Sequence, residues 1–469
     1  MSLAPLLIPL GVTIVALLVL LADMAVQGDD RRGLGVLTTI GLVAVLAASG
    51  LAPEGTTMNG AYVQDAFTLF IQRTLLAAGI IGALGSIDHA DRMFARRQGE
   101  YFLMMLFSMV GMLTIAGARE LVTLIVAFEL MGIPLYVMAA MHKKDKAGVE
   151  GSWKLYLTGA VSSAITLYGL SFIVGSTGTS MIAELANAQP APLTMLGLML
   201  VLGGMGFKIG AVPFHMWVPD TYQGTPTPFV AFLSVAPKAA GMAAIARLFM
   251  EGFQHLRLQW WPAMLVVCIA TMLLGNILAI AQTNVKRLLG YSGIAHIGLL
   301  LLAFGIGTVD GTAALLFYLA AYVPANMGAF LVAEVVGQSG SDDLDAWAGL
   351  SQRAPAIAFA MLLFLLSLGG IPFVAGFWAK VFLFMAAWKA GMASLVILGA
   401  MLSVVALFYY MTVGRSIYIT AATDDSPIVV GRSTAWAIGL CVAGILLMGV
   451  FPTPFLEGAQ AAAKVLLSN

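Results

Sequence analysis

The chain has 469 residues, 60% of them hydrophobic and 10% charged, with a mean hydropathy of +0.96 and a formal net charge of zero. Soluble domains carry roughly 25% charged residues, and no water-soluble fold has an interior large enough for this much apolar surface, so the solvent is lipid. The balanced charge gives nucleic acid no footing. Cys268 and Cys441 sit inside apolar runs without metal-ligand spacing and read as small core hydrophobes.

A membrane-spanning helix takes about 20 mostly apolar residues, and runs of that length recur along the whole chain. The first, 3–22, lacks a basic leading segment and a small-residue cleavage site, so it reads as a retained span and not as a signal peptide. It is followed by 33–52, 68–88, 101–117, 120–140, 152–175, 193–214, 228–250, 259–282, 291–308, 312–336, 354–388, 392–420 and 433–452, about fourteen in all. The expected fold is an all-α polytopic membrane protein. The seventh run ends in a helix-breaking segment, and the twelfth is too long for one straight span. The longest polar linkers, near 53–66, 176–192, 337–353 and 421–432, leave no room for a soluble domain.

Lysine and arginine gather in alternate loops, as the positive-inside rule requires. One set holds Arg31, Arg32, Arg92, Arg96, Arg97, Lys143, Lys144, Lys146, Lys286, Arg287, Arg353, Arg415 and Arg432. The other holds only Arg119, Arg247, Arg257, Lys389 and Lys464. This places both termini outside, which fits an even number of spans.

Two breaks look alike. Ala211-Val212-Pro213-Phe214 ends the seventh run, and Gly370-Ile371-Pro372-Phe373 interrupts the twelfth. They lie an odd number of spans apart, so the units around them would be inverted in the membrane. Paired broken helices in corresponding halves point to a transporter's ion site. Lys208 precedes the first proline and Lys380 follows the second. Arg73, Lys154 and Lys238 also fall inside predicted spans, and each such cation costs roughly 2.5–3.5 kcal/mol at a helix centre. A proline break frees backbone carbonyls that water or neighbouring chain must satisfy, so break and cation read as one hydrated site. Glu129 is the carboxylate expected well inside a span, and its expected partner is Lys208. The other lysines are then hydrated or partly neutral, which suits a proton relay. Arg73 reads as snorkelling to an interface, and Lys154 stands near its span's end. His296 is open to a relay role or a backbone bond, and His215 reads mainly as orienting the broken segment.

The stretches GEYFLMMLFSMVGM, LIVAFELMGIPLYVMAA, GFKIGAVPFHMWVPDTYQGTPTP and NVKRLLGYSGIAHIG resemble the antiporter-like membrane subunits of proton-pumping NADH:quinone oxidoreductase, complex I. The form VPFHMWVPDTYQGTPTP is closest to their N type. The resemblance runs over roughly residues 60 to 420 and implies fourteen helices: three N-terminal ones in 1–100, inverted five-helix repeats in 101–250 and 251–420 with helices 7 and 12 broken, and helix 14 in 421–469. It implies that Glu129 and Lys208 are the coupled carboxylate–lysine pair, Lys238 the connecting lysine, Lys380 the lysine near the exit and Lys154 an N-type lysine of the sixth span. With His296 these form the expected proton relay.

The chain stops at Asn469, so the long lateral helix of L-type relatives is not expected. No cofactor is expected in this chain; NADH, FMN, iron–sulfur clusters and quinone belong to partner subunits. Expected partners are antiporter-like and small membrane subunits in a bacterial inner membrane. Rival readings are a subunit of a multi-protein cation/proton antiporter, a hydrogenase-linked pump and a purely structural spacer.

Overall fold

The computed structural model describes residues 3–467 except 29, 144, 188, 190, 339 and 423–427; Lys144, counted among the basic loop residues above, lies outside the described residues. The first half runs α1 (Leu7–Ala25), α2 (Arg32–Ala48), α3 (Ala66–Phe94), α4 (Gln98–Gly117), α5 (Leu121–Ala139), α6 (Lys146–Thr177), a single turn α7 (Ile182–Leu185) and α8 (Pro192–Ile209). After a break come α9 (Trp217–Gly224), α10 (Thr227–Leu233) and α11 (Ala236–Ile245), which continues as a π-helical segment over Ala246–Gly252. The second half holds α12 (Arg257–Ile280), α13 (Val285–Ile306), α14 (Val309–Gly337), the short α15 (Leu350–Arg353), α16 (Pro355–Gly369), α17 (Ala375–Lys389), α18 (Ala393–Tyr418), α19 (Arg432–Val450) and α20 (Pro452–Leu467).

Among the described residues, 12 helical segments are long and apolar enough to cross a membrane. One of them, 66–117, is α3 and α4 in series, divided at Ala95, whose φ is +43°. The 15-residue α16 is too short to cross alone; it and α17 are the two halves expected around Pro372.

The segments at the centre of the bundle differ from those at its rim. The most apolar windows of Thr227–Gly252, Val285–Ile306 and Val309–Gly337 are 100, 94 and 94% buried within the chain, against 39% for α6 and 33% for α18. Charged side chains on α11 or α13 are therefore wrapped in protein, where neighbouring groups and water can satisfy them. Small residues let the helices approach closely. On α6 and α8, a Cβ added to Gly169 would lie 2.7 Å from Gly197 O, and one added to Gly197 would lie 2.6 Å from Gly169 O.

Three features depart from the expected pattern. The linker near 53–66 holds a hairpin, β1 (Gly55–Thr57) antiparallel to β2 (Tyr62–Gln64), turned at Asn59-Gly60, both with positive φ; Asn-Gly is the dipeptide that tight hairpins favour. The chain continues past α19 into α20, which seats Ala459, Ala462, Ala463 and Leu466 against α3 and α14. Finally, Arg247, expected in a loop, is fully buried in the π-helical segment. Its guanidinium donates to Asp65 at 2.7 and 2.8 Å and to Glu251 at 3.0 Å, while Glu251 also pairs with Arg119. Asp65 is the N-cap of α3. Burial pushes its carboxyl up, but Arg247 and the Thr68 N–H more than offset this and hold it below the usual range. Glu129 stands mid-helix on α5 and is only partly buried; Asp88, Glu251 and Glu334 are the buried carboxylates, all near helix ends and all paired with cations.

Candidate functional site

The first part of the site forms where α5, α6 and α8 meet. Lys208, 8% exposed, lies in the last turn of α8. Gly210 ends that helix with φ +76°, a conformation in which glycine bears no Cβ penalty. The break then runs through a cis Val212–Pro213 bond. Its freed backbone groups find partners across the fold: Val212 N donates to Thr271 Oγ1 on α12 at 3.0 Å, and the Trp217 indole donates to Phe207 O at 3.2 Å.

Lys208 Nζ stands 4.0 Å from Glu129 Oε1, within ion-pair range but beyond a hydrogen bond. The Ser163 hydroxyl lies between them, donating to Glu129 at 2.5 Å and accepting from Lys208 at 3.4 Å. Tyr136 OH is 3.5 Å from the same Nζ. The rings of Phe128 and Phe207 lie 5.9 and 5.8 Å from it, close enough for a cation–π contribution. The Glu129 side chain is 36% exposed and shares its face of α5 with exposed Val122, Val126 and Ile133. The pair thus has an enclosed lysine and a carboxylate that opens sideways from the bundle.

The structure does not bring Lys154 to this pair. Lys154 is nine residues before Ser163 on α6, about 14 Å along the axis, and its side chain is 41% exposed. It pairs with Glu150 and Asp220, each at 2.6 Å, and Asp220 also accepts from Arg287 on α13. Burial raises the Asp220 carboxyl, but the hydrogen bonds from Lys154 and Arg287 outweigh that and hold it below its usual range. This cluster ties α6, α9 and α13 together on the side expected to be cytoplasmic. Asp220 was not singled out from the sequence; the signal was an acid following Pro219 in a segment flanked by basic loops. Arg73, expected to snorkel, reaches Ser49 at the end of α2.

The second part lies in the buried centre. Lys238 on α11 is 1% exposed, and its Nζ has no hydrogen-bond partner among the described residues. The Tyr222 ring lies 5.6 Å away. A Cβ on Gly293 of α13 would stand 3.0 Å from both Lys238 Nζ and Tyr322 OH, so these two polar atoms flank a position that a side chain would crowd. The Tyr322 ring packs 5.1 Å from the His296 ring. His296 pairs through Nδ1 with Tyr318 OH at 2.7 Å and through Nε2 with Tyr410 OH at 3.2 Å.

Lys380 follows. It is 6% exposed, and its Nζ donates to Leu368 O at 3.0 Å and Gly369 O at 2.8 Å. These are final carbonyls of α16, left open by the break and lying at the negative end of the helix dipole. His296 and Lys380 both line two small cavities of about 10 Å³ each, a size that admits about one water. Lys238, Tyr322, His296 and Lys380 are therefore neighbours in series. No hydrogen bond joins Lys208 to Lys238; α11 passes close to Lys208, where a Cβ on Gly241 would come 4.0 Å from Lys208 Cβ.

The two breaks share residue types but not register. The left-handed glycine precedes the proline by three residues at Gly210 and by two at Gly370. Lys208 stands on the half before its break, and Lys380 reaches back across its own. The tyrosines around His296 were missed in the sequence; Tyr318 and Tyr322, four apart on α14, carried the signal of one polar stripe on an apolar helix.

A family model described as NADH:quinone oxidoreductase/Mrp antiporter, transmembrane, matches residues 118–406, a stretch that contains all of these lysines, Glu129 and His296. The chain belongs to this family. Family members named NADH-quinone oxidoreductase subunit N are similar over nearly their whole length: that of Moorella thermoacetica is 39% identical, covering 94% of each chain, and that of Desulforamulus reducens is 37% identical, covering 98% of this chain and 97% of the relative. A chain of respiratory complex I from Thermus thermophilus, 31% identical, superposes with a TM-score of 0.82 over 96% of this chain and 98% of that one. A chain of the Mrp complex from Dietzia, 20% identical, superposes with a TM-score of 0.89 over 100% of this chain and 98% of that one, which shows the antiporter-like fold.

Proposed function

We propose that the chain is a proton-translocating, antiporter-like membrane subunit of a respiratory NADH:quinone oxidoreductase. The full-length similarity to subunit N of that complex supports this reading. Counting α3 and α4 separately and α16–α17 as one broken helix turns the 12 apolar segments into the fourteen passes expected from the sequence. In this reading α4–α11 and α12–α18 are the two inverted repeats, both termini face outward, and the membrane is a bacterial inner membrane. Antiporter-like and small membrane subunits flank the chain. NADH, FMN, iron–sulfur clusters and quinone act in partner subunits.

Protons enter from the cytoplasmic side near the first break, load Lys208, and pass through Lys238 and His296 to Lys380, from which they leave. Redox events elsewhere in the complex bias the Glu129–Lys208 pair. The observation that carries this scheme is the buried series Lys238–Tyr322–His296–Lys380, which makes no ion pair with a carboxylate among the described residues. A lysine without a counter-ion in such a place is expensive as a fixed charge and useful as a transient one.

The test is Lys208→Met in the assembled complex. Loss of pumping-coupled turnover, with flavin-site NADH oxidation by an artificial acceptor intact, is the expected result; unchanged coupled turnover overturns the relay. Purification with flavin and iron–sulfur subunits, and not with small membrane partners alone, separates this function from a stand-alone antiporter.

A further inference from the structure

We propose that Ser163 is the bridge through which the Glu129–Lys208 pair exchanges its proton, and that Tyr136, placed by Gly159, holds the lysine in line for that exchange. The proposal rests on the relay reading above.

The direct path is too long. Lys208 Nζ and Glu129 Oε1 are 4.0 Å apart, and proton transfer between heavy atoms needs roughly 2.6–3.2 Å or one intervening group. Ser163 Oγ fills that position, donating to the carboxylate at 2.5 Å and accepting from the ammonium at 3.4 Å, a leg that must tighten by about 0.2 Å to reach the transfer range. Ser163 is itself buried, on the face of α6 turned to α5 and α8. A hydroxyl has one proton to give and lone pairs to accept another. When the lysine ammonium passes a proton to Ser163 Oγ, the serine's own proton goes to Glu129. The products are a neutral amine, a neutral carboxylic acid and a serine that still holds one proton. Charge disappears from both ends of the pair at once. Reloading the amine from water and releasing the carboxyl proton through its open side resets the pair.

The second support is steric. Tyr136 OH lies on Lys208 Nζ at 3.5 Å. A Cβ on Gly159 would stand 2.1 Å from that hydroxyl oxygen and 2.6 Å from the ring carbon bearing it. Gly159 is thus the gap in α6 that receives the tyrosine's end. Gly132, one turn from Tyr136 on α5, leaves the corresponding room on the other side, where an added Cβ would be 3.2 Å from the hydroxyl and 3.5 Å from Lys208 Nζ. Both glycines leave room for the tyrosine hydroxyl, and Gly132 leaves room for the ammonium as well.

The experiment compares Ser163→Ala, Ser163→Thr and Lys208→Met in the full complex reconstituted in vesicles. NADH-driven proton uptake is measured against pH in H2O and in D2O. Ser163→Ala removes only one oxygen, so assembly should persist, which co-purification of the partner subunits checks. Its coupled rate should fall roughly tenfold, the loss expected for one hydrogen bond to a charged group, with a changed solvent isotope effect and a shifted pH profile. Ser163→Thr keeps the hydroxyl and should restore most of the rate and the parent isotope effect. If Ser163→Ala pumps at the parent rate with the parent isotope effect while Lys208→Met is inactive, the bridge is wrong and the relay stands. If Lys208→Met also pumps normally, the relay itself has failed. If Ser163→Thr is as slow as Ser163→Ala with its assembly intact, the hydroxyl is not what matters and the proposal is overturned.

Discussion

Removing Arg247 probes the part of the fold that the sequence placed least well. The guanidinium is fully buried and makes charge-assisted bonds to Asp65 at 2.7 and 2.8 Å and to Glu251 at 3.0 Å. It also donates to Thr68 Oγ1 at 2.8 Å and to Ala116 O at 3.3 Å. Replacing it with leucine fills much of the space but leaves two carboxylates against one remaining cation, Arg119. Breaking a buried pair costs roughly 3–5 kcal/mol. The lower end applies here, because Asp65 keeps its bond from Thr68 N and Glu251 keeps Arg119. Arg247→Leu should therefore destabilise the chain by about 3 kcal/mol, and adding Asp65→Asn should recover a good part of that by restoring charge balance, a coupling that a double-mutant cycle measures. Denaturant titration of the purified chain in mild detergent is the assay. A single variant within about 0.5 kcal/mol of the parent, the scatter of ordinary surface changes, would refute the claim that this cluster holds α3, α4 and the π-helical segment together.

Gly293→Ala should slow coupled proton uptake while leaving assembly intact, because its methyl would sit 3.0 Å from both Lys238 Nζ and Tyr322 OH; vesicle pumping measures it. Asp220 gives a pH signature. Its carboxyl is held below the ordinary 3.8 by Lys154 and Arg287 against the opposing effect of burial, so its contribution to stability is full above pH 3.8 and is lost as pH falls from there through the depressed value. Asp220→Asn should flatten that acid limb in a denaturation series. Gly159→Ala should weaken coupled turnover through Tyr136, and pairing it with Tyr136→Phe should add little further loss.

Much of the architecture was legible because lipid imposes a strong rule: spans must be long and apolar. Proline and glycine marked both breaks. The buried lysines stood out because charge in an apolar run is expensive. What stayed hidden depends on which face of a helix each residue occupies. Ser163, Tyr318 and Tyr322 are unremarkable within apolar runs until α6 and α14 are packed against their neighbours. Arg247 lay close to a predicted span end, where a loop cation and a buried one look the same. Lys154 and Lys208 are both lysines in or near predicted spans, yet one is tied to surface acids and the other is enclosed.

The central claim is that protons cross by way of buried amines, and Lys238 tests it most directly because it is the most enclosed of them and has no hydrogen-bond partner among the described residues. The measurement is the number of protons pumped per NADH oxidised by the complex in sealed vesicles, parent against Lys238→Met. A fall in that ratio or in coupled turnover, with the complex fully assembled, is predicted; an unchanged ratio at an unchanged rate would contradict the account.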